Sequence, residues 1–352
     1  MPINLRDYQK TGVDALRKSL RSGKKAPLYV LPTGGGKTVV FCHIAEGVQS
    51  KGKRAVILVH RQELLNQTSR ALRELGVDHA LIAPSWIYRG EPIAVASVQT
   101  LAQRIKAWLK LATGVWSFDL IIIDEAHHAV AGTWKRLIEF FTGATLLGVT
   151  ATPVRTDGKG LGVQAGGCFD DIILGPTIGW LISEGYLTRP VTYAPPNKID
   201  LTDVHTRGGD YNNKELAAAL DKPRSTGDAV AHYARLCPFK PAIVFCASVE
   251  HAQHVAGEFR AAGFVAMSLD GKMGDAERRA GIQGLASGDI HVLTSCDLIS
   301  EGTDIPVVTS AILLRPTQSE GLYLQQVGRA LRPVYASGYD LSTRERRLAA
   351  IA

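Results

Sequence analysis

The chain alternates short, wholly apolar runs with stretches in which apolar residues recur at helical spacing. Runs at 28–31, 55–59, 93–97, 120–123 and 146–149 read as buried strands. A second series at 242–246, 265–268, 291–294 and 309–314 repeats the pattern. Most runs are bounded by Gly, Pro or charged residues and lead into helix-compatible sequence. Strands apolar on both faces, interleaved with helices, predict an α/β fold whose sheets are mostly parallel and carry helices on both faces. The pattern lapses twice. Glycine-rich 154–167 reads as a loop, and 194–221, rich in Pro, Asn, Asp and Gly, reads as a connector. The expected organisation is a first lobe at 1–193, a connector at 194–221 and a second lobe at 222–352.

Composition narrows the class. A chain of 352 residues is long enough for two cores, and with 45 % hydrophobic and 21 % charged residues it is neither a disordered tail nor a fibrous rod. No apolar run reaches the ~18 residues of a membrane span. The start, MPINLRDYQK, has no apolar core of a signal peptide. Cys42, Cys168, Cys237, Cys246 and Cys296 form no C-x-x-C pair, so reduced thiols and a cytoplasmic location are expected. With 40 basic and 33 acidic residues the formal charge is +7, which permits a polyanionic partner without naming one.

The run at 28–31 passes directly into Pro32-Thr33-Gly34-Gly35-Gly36-Lys37-Thr38, and 39–48 reads as a helix. Strand, glycine loop, Lys-Thr and helix together make a P-loop. Glycines let backbone N–H groups close on phosphate oxygens, and the helix amino terminus adds its positive dipole end. Lys37 is expected to reach the β- and γ-phosphates and Thr38 to place its hydroxyl on Mg²⁺. Leu31 stands where the usual pattern has its first glycine. The run Ile121-Ile122-Ile123-Asp124-Glu125 ends a strand in two carboxylates. Asp124 is the expected Mg²⁺ ligand, and Glu125 the group that orients or deprotonates the attacking water.

Further letters identify a family resemblance. Asp124-Glu125-Ala126-His127 is a DEAH box, Thr150-Ala151-Thr152 follows the next strand, and Gln325-Gln326-Val327-Gly328-Arg329-Ala330-Leu331-Arg332 matches Q-x-x-G-R-x-x-R. In this order the set resembles a superfamily 2 helicase or translocase. Leu5-Arg6-Asp7-Tyr8-Gln9, Val59-His60-Arg61-Gln62-Glu63-Leu64-Leu65 and Gly328-Arg329-Ala330-Leu331-Arg332-Pro333 look closest to the RadD type of bacterial or phage-encoded DNA helicase. The resemblance implies two tandem RecA-like lobes with ATP in the cleft between them. It implies that Gln9 reads adenine with Arg6 near the base, and that Thr33, Gly34, Gly35 and Gly36 wrap the phosphates. Arg329 and Arg332, three apart and so on one helix face, become arginine fingers. Glu301-Gly302-Thr303-Asp304 matches a motif that meets nucleotide and nucleic acid, which adds Gly302 and Asp304 to the nucleotide site. His127, Thr150, Thr152 and Gln325 are the expected coupling residues.

Candidate nucleic-acid contacts lie just past strand ends, where open α/β sheets bind ligands. They are Arg61, Gln62, Gln99 and Thr100 in the first lobe and Ser248 and Thr294 in the second; each is also a plausible helix cap. His251 and His254 read as a solvated helix face, Ser342-Thr343-Arg344-Glu345 as the cap of an exposed basic helix, and the tryptophans as core. No structural metal is expected. Nineteen residues follow Pro333, fewer than the family pattern gives its second lobe, so a minimal or truncated motor is expected. The resulting expectation is a monomeric, ATP- and Mg²⁺-dependent helicase or translocase acting on DNA with little sequence preference. An RNA helicase, a restriction-type double-strand translocase and an ATP-gated clamp with slow hydrolysis are the alternatives.

Overall fold

Apolar runs flanked by turn residues become the strands of two separate parallel sheets. The computed structural model describes residues 4–108, 117–130, 132–154, 159–194, 201–207, 210–220, 223–296 and 308–351. The chain divides into two compact units, Met1–Thr177 and Ile178–Ala352.

The first unit runs α1 (Asp7–Arg21), β1 (Pro27–Val30), α2 (Lys37–Gln49), β2 (Ala55–Val59), α3 (Gln62–Glu74), β3 (Ala80–Ile82), β4 (Ile93–Ser97), α4 (Val98–Trp108), β5 (Leu120–Asp124), α5 (Gly132–Phe140), β6 (Thr145–Thr150) and β7 (Asp171–Leu174). The sheet order is β3-β4-β2-β5-β6-β1-β7, with every pairing parallel. Alternate residues face opposite sides of a strand, which explains why both sides must be apolar here. Leu28, Val56, Leu58, Ala94, Ala96, Ile121 and Ile123 pack with Leu101, Trp134 and Leu137 of α4 and α5 on one face. Helices α2 and α3 lie against the central strands, with Phe41, Cys42, Leu65 and Leu72 fully buried. Gly148 in β6 makes room for this packing: a Cβ there would stand 2.4 Å from the Phe169 ring and 2.8 Å from Leu28.

The second unit contains α6 (Ile178–Ser183), a short antiparallel ribbon of β8 (Thr206–Arg207) and β9 (Asp210–Tyr211), α7 (Asn213–Leu220), α8 (Pro223–Leu236), β10 (Ala242–Phe245), α9 (Val249–Ala261), β11 (Ala266–Leu269), α10 (Asp275–Ser287), β12 (Val292–Ser295), β13 (Ser310–Leu313), α11 (Glu320–Val327) and α12 (Arg344–Ala350). Its main sheet, ordered β11-β12-β10-β13, is parallel throughout. Ala242 and Val244 pack toward α8 and α9, while Ile243 and Phe245 face Leu285 of α10. Helices thus cover both faces in each unit.

Several expectations are corrected. Strands β3 and β7 were not legible as apolar runs, because one has three residues and the other exposes Ile172 and Leu174 at the sheet's edge. The division between units falls before α6 rather than near residue 193. Residues 178–188 belong with the second unit: the Thr188 N–H donates to the Leu331 carbonyl at 2.8 Å, and the Tyr335 hydroxyl donates to the Gly185 carbonyl at 2.6 Å. The basic helix near the end is capped by Thr343, one residue later than expected, and it is not simply solvated. Arg347 is buried, donates to the Glu184 carbonyl at 2.8 Å and stacks 4.1 Å over the Tyr186 ring. His251 is also fully buried, with the Ala247 N–H directed at its Nδ1 at 3.4 Å. Trp134 is core, but Trp86 and Trp180 are exposed.

The tight approach at Gly148 predicts opposite signs for two Gly→Ala changes. Gly148→Ala is expected to lower the melting temperature by about 5 °C through overpacking. Gly47→Ala, on α2 where a Cβ meets nothing within 4 Å, is expected to raise it slightly through better helix propensity. Thermal melts of the two variants check both.

Candidate nucleotide and nucleic-acid site

Strand pairing assembles the site. Val30 of β1 stands beside Thr150 of β6, and Val149 of β6 stands beside Asp124 of β5. The Leu31 N–H continues the ladder, donating to the Thr150 carbonyl at 2.9 Å. Parallel direction therefore brings the glycine loop, Asp124-Glu125 and Thr150–Thr152 to one carboxyl edge on three adjacent strands.

The loop after β1 is shaped by Gly34 and Gly36, at φ 82° and 83°, in the left-handed region that favours glycine. A Cβ on Gly36 would stand 2.4 Å from Gln9 Nε2, and one on Gly35 would stand 2.8 Å from Leu31 Cγ. Leu31 is fully buried beneath the loop, which gives the unusual residue at that position a packing role. Because α2 begins at Lys37, the N–H groups of its first turn have no intrahelical acceptor and are available to an anion.

The start of α1 grips this loop. Gln9 is 3 % exposed, and its Nε2 donates to the Gly35 carbonyl at 3.0 Å while its Oε1 accepts from the Arg6 N–H at 2.8 Å. The Tyr8 hydroxyl donates to the same Gly35 carbonyl at 2.9 Å. Gln9 is therefore no surface residue: its amide ties the start of α1 to the glycine loop. Tyr8 was missed as a site residue. Its signal was a hydroxyl-bearing aromatic beside Gln9 on the apolar side of a short amphipathic helix.

Lys37 Nζ lies 3.8 Å from Glu125 Oε1, and both side chains are about nine-tenths buried (12 % and 10 % exposed). Asp124 is 3 % exposed, and its Oδ1 accepts from the Glu125 N–H at 3.0 Å. Cys42, one turn beyond Thr38 on α2, has its thiol pushed well up by burial, with the negative charge of Asp124 adding to the effect. Glu125 itself adopts φ 52° and ψ 56°, one of two described non-glycine residues at positive φ. Such a backbone costs on the order of 1–3 kcal/mol and persists where surrounding contacts impose it. His127 Nδ1 lies 3.3 Å from Thr150 Oγ1 and 3.6 Å from Glu125 Oε2. The Thr150 hydroxyl donates to the Thr152 carbonyl at 2.9 Å and accepts from the Thr152 N–H at 3.2 Å, which fixes it beside the His127 ring.

In the second unit, Gln325 and Arg329 are buried and Arg332 is partly exposed. Helix α11 ends at Val327, so Arg329 and Arg332 stand in the turns beyond it rather than on one helix face. Gly302 and Asp304, with Glu301 and Thr303, lie outside the described residues.

The rim candidates separate into two groups. Arg61 occupies the N-cap position of α3, Gln62 is exposed with Nε2 donating to Asn66 Oδ1 at 3.2 Å, and Gln99 is exposed at the exit of β4. Gln99 Oε1 accepts from the Ser97 hydroxyl at 3.0 Å and its Nε2 donates to the His60 carbonyl at 3.4 Å, bridging neighbouring strand ends. The other three have structural work. Ser248 caps α9 by accepting from the His251 N–H at 3.0 Å. Thr100 is buried. Thr294 lies inside β12, fully buried, donating to the Ala252 carbonyl at 2.7 Å, so it is not a rim contact.

Comparison with known proteins agrees with this layout. Residues 2–155 match the family described as Type III restriction enzyme, res subunit, and residues 229–334 match the helicase conserved C-terminal domain. A 51.5 kDa protein of a Lactococcus phage (isolate 7-9) is 36 % identical over 301 residues, covering 86 % of this chain and 61 % of the phage protein. A protein of Saccharomyces cerevisiae named as ATP-dependent helicase IRC3 is 30 % identical over 349 residues, covering 93 % of this chain and 49 % of the yeast protein. The chain thus spans about half to three-fifths of the length of these relatives. Among solved structures, the ATP-dependent Type ISP restriction-modification enzyme LlaBIII bound to DNA superposes with a TM-score of 0.66 at 17 % identity, covering 94 % of this chain and 27 % of the other.

The grip of α1 on the glycine loop is open to a single-atom test. Tyr8→Phe removes one of two donors to the Gly35 carbonyl, a bond worth about 1 kcal/mol. The half-saturating concentration of nucleoside triphosphate is expected to rise about three- to tenfold, measured by equilibrium binding of a fluorescent analogue.

Proposed function

The chain belongs to superfamily 2 of the helicases, and on that footing we propose that it is an ATP- and Mg²⁺-dependent motor, a helicase or translocase that acts on DNA. The observation that carries the reading is the convergence of the glycine loop, the Lys37–Glu125 pair and Asp124 at one sheet edge.

The residues present fit a Mg²⁺–triphosphate. The loop is folded so closely that only glycine suits positions 35 and 36, and the buried Asp124 carboxylate bears on α2 one turn from Thr38. Thr38 and Asp124 would hold the ion, which would neutralise charge on the β- and γ-phosphates. The glycine-loop N–H groups orient the triphosphate, and Lys37 supplies a cation that its terminal phosphate draws away from Glu125. Glu125 is then free to accept a proton from the attacking water. The His127 ring, with Nδ1 beside Thr150 Oγ1, faces the same carboxylate and keeps it oriented. Arg329 and Arg332 are assigned to stabilising transition-state charge, which makes hydrolysis depend on the second unit. Gly302 and Asp304 belong to the same nucleotide site in this reading.

DNA is favoured as the track by the restriction-enzyme description of the first matched family and by the DNA-bound structural relative. Arg61, Gln62 and Gln99 are the proposed contacts on the first unit, reached through phosphates and therefore tolerant of sequence. The same family match supports a second reading, a double-strand translocase of restriction type that moves without separating strands. Among the described residues no helix is long and apolar enough to cross a membrane.

ATP hydrolysis measured alone and with single-stranded DNA, duplex DNA and RNA tests the proposal, with strand displacement and triplex displacement dividing unwinding from translocation. DNA is expected to stimulate hydrolysis more than RNA does. Lys37→Ala is expected to weaken ATP binding, and Glu125→Gln to retain binding while lowering turnover at least about a hundredfold. Equal rates with and without every polynucleotide would remove the motor.

A further inference from the structure

Three histidine rings pack at a tilt, one against the next, beside Glu125. His60 leaves β2, and its ring lies 4.6 Å from that of His128; the His128 ring lies 4.2 Å from that of His127. All three are at least partly buried. At one end of the row His127 faces Glu125 Oε2 and Thr150 Oγ1. At the other end the His60 carbonyl accepts from the exposed Gln99 side chain, and the next residue is Arg61.

We propose that His60 and His128 are positioning residues that transmit occupancy of the Arg61–Gln99 rim to the catalytic carboxylate of Glu125. The inference rests on the motor reading above, and it assigns the route by which the polynucleotide raises hydrolysis within the first unit. Gln99 spans the exits of β4 and β2, so a phosphate seated on it bears directly on the His60 backbone. Displacing His60 moves a ring packed at a tilt of 60° against His128, and His128 follows Ala126 and His127 in a single turn of 3₁₀ helix. That turn starts at Glu125, whose left-handed backbone is imposed by its surroundings rather than preferred, so a small shift of the turn re-aims the carboxylate. Packed rings suit such a link because they move together over short distances.

The test compares His60→Ala, His128→Ala, the double variant and His60→Phe in ATP hydrolysis with and without single-stranded DNA. Basal kcat and the KM for ATP are expected to stay within about twofold of the parent, and DNA affinity to be unchanged, while stimulation by DNA falls about tenfold, a usual size for coupling between two sites. The double variant is expected to lose no more than either single change, since both interrupt one route. His60→Phe keeps a ring in the row and is expected to restore most of the stimulation. A His60→Ala protein stimulated as strongly as the parent overturns the relay while leaving the motor intact. So does a loss that tracks weakened DNA binding, or a His60→Phe protein no better than His60→Ala. A parent enzyme that no polynucleotide stimulates removes the motor reading, and the relay falls with it. Circular dichroism melts show whether His60→Ala folds; should it not, His60→Phe against His128→Ala still decides the outcome.

Discussion

The parallel ladder β5-β6-β1 is the constraint on which the site depends. A parallel pairing fixes which strand ends coincide, and here it aligns the exits of three strands within one hydrogen-bonding step of one another. Each exit then contributes a different chemistry: backbone donors from the glycine loop, carboxylates from Asp124 and Glu125, and a hydroxyl from Thr150. A one-residue slip in either pairing would turn alternate side chains to the opposite face and separate these groups. The fully apolar character of the strands follows from the same requirement, because both faces must be covered for the register to hold.

Charge is distributed around this edge in a way that suits an anionic substrate. Lys37 rests 3.8 Å from Glu125 with both side chains largely buried, so an anion that draws Lys37 away must itself supply the compensating charge. Asp124 is buried beside α2, and its charge reaches the Cys42 thiol. His127 places Nδ1 between the Thr150 hydroxyl and the Glu125 carboxylate, which ties the carboxylate pair to β6.

Linear signals were legible in the sequence, and long-range ones were not. The P-loop, the carboxylate pair and the two-sheet architecture could be read because each is a contiguous run with a required local context. Arg347 could not, because its partner Glu184 is 163 positions away and nothing in the helix pattern marks it. His251 repeats the lesson. Its spacing from His254 suggested a solvated face, yet the cap at Ser248 turns it inward, while His254 alone stays outside near Glu258. Thr294 misled for a different reason: the strand is shifted by one residue from the apolar run, which places the hydroxyl inside the sheet.

The Gly35 carbonyl, with donors from both Tyr8 and Gln9, bears on how the protein distinguishes one nucleotide from another. A loop braced by the opening turn of α1 before any phosphate arrives does not need to be ordered by its ligand, so little conformational entropy is lost on binding. On the proposed reading, the same preorganised cradle would hold a diphosphate as well as a triphosphate. Discrimination falls to the far end of the site, where only a terminal phosphate can separate Lys37 from Glu125. On the proposed reading, release of the diphosphate from such a cradle becomes the natural point of control over the cycle.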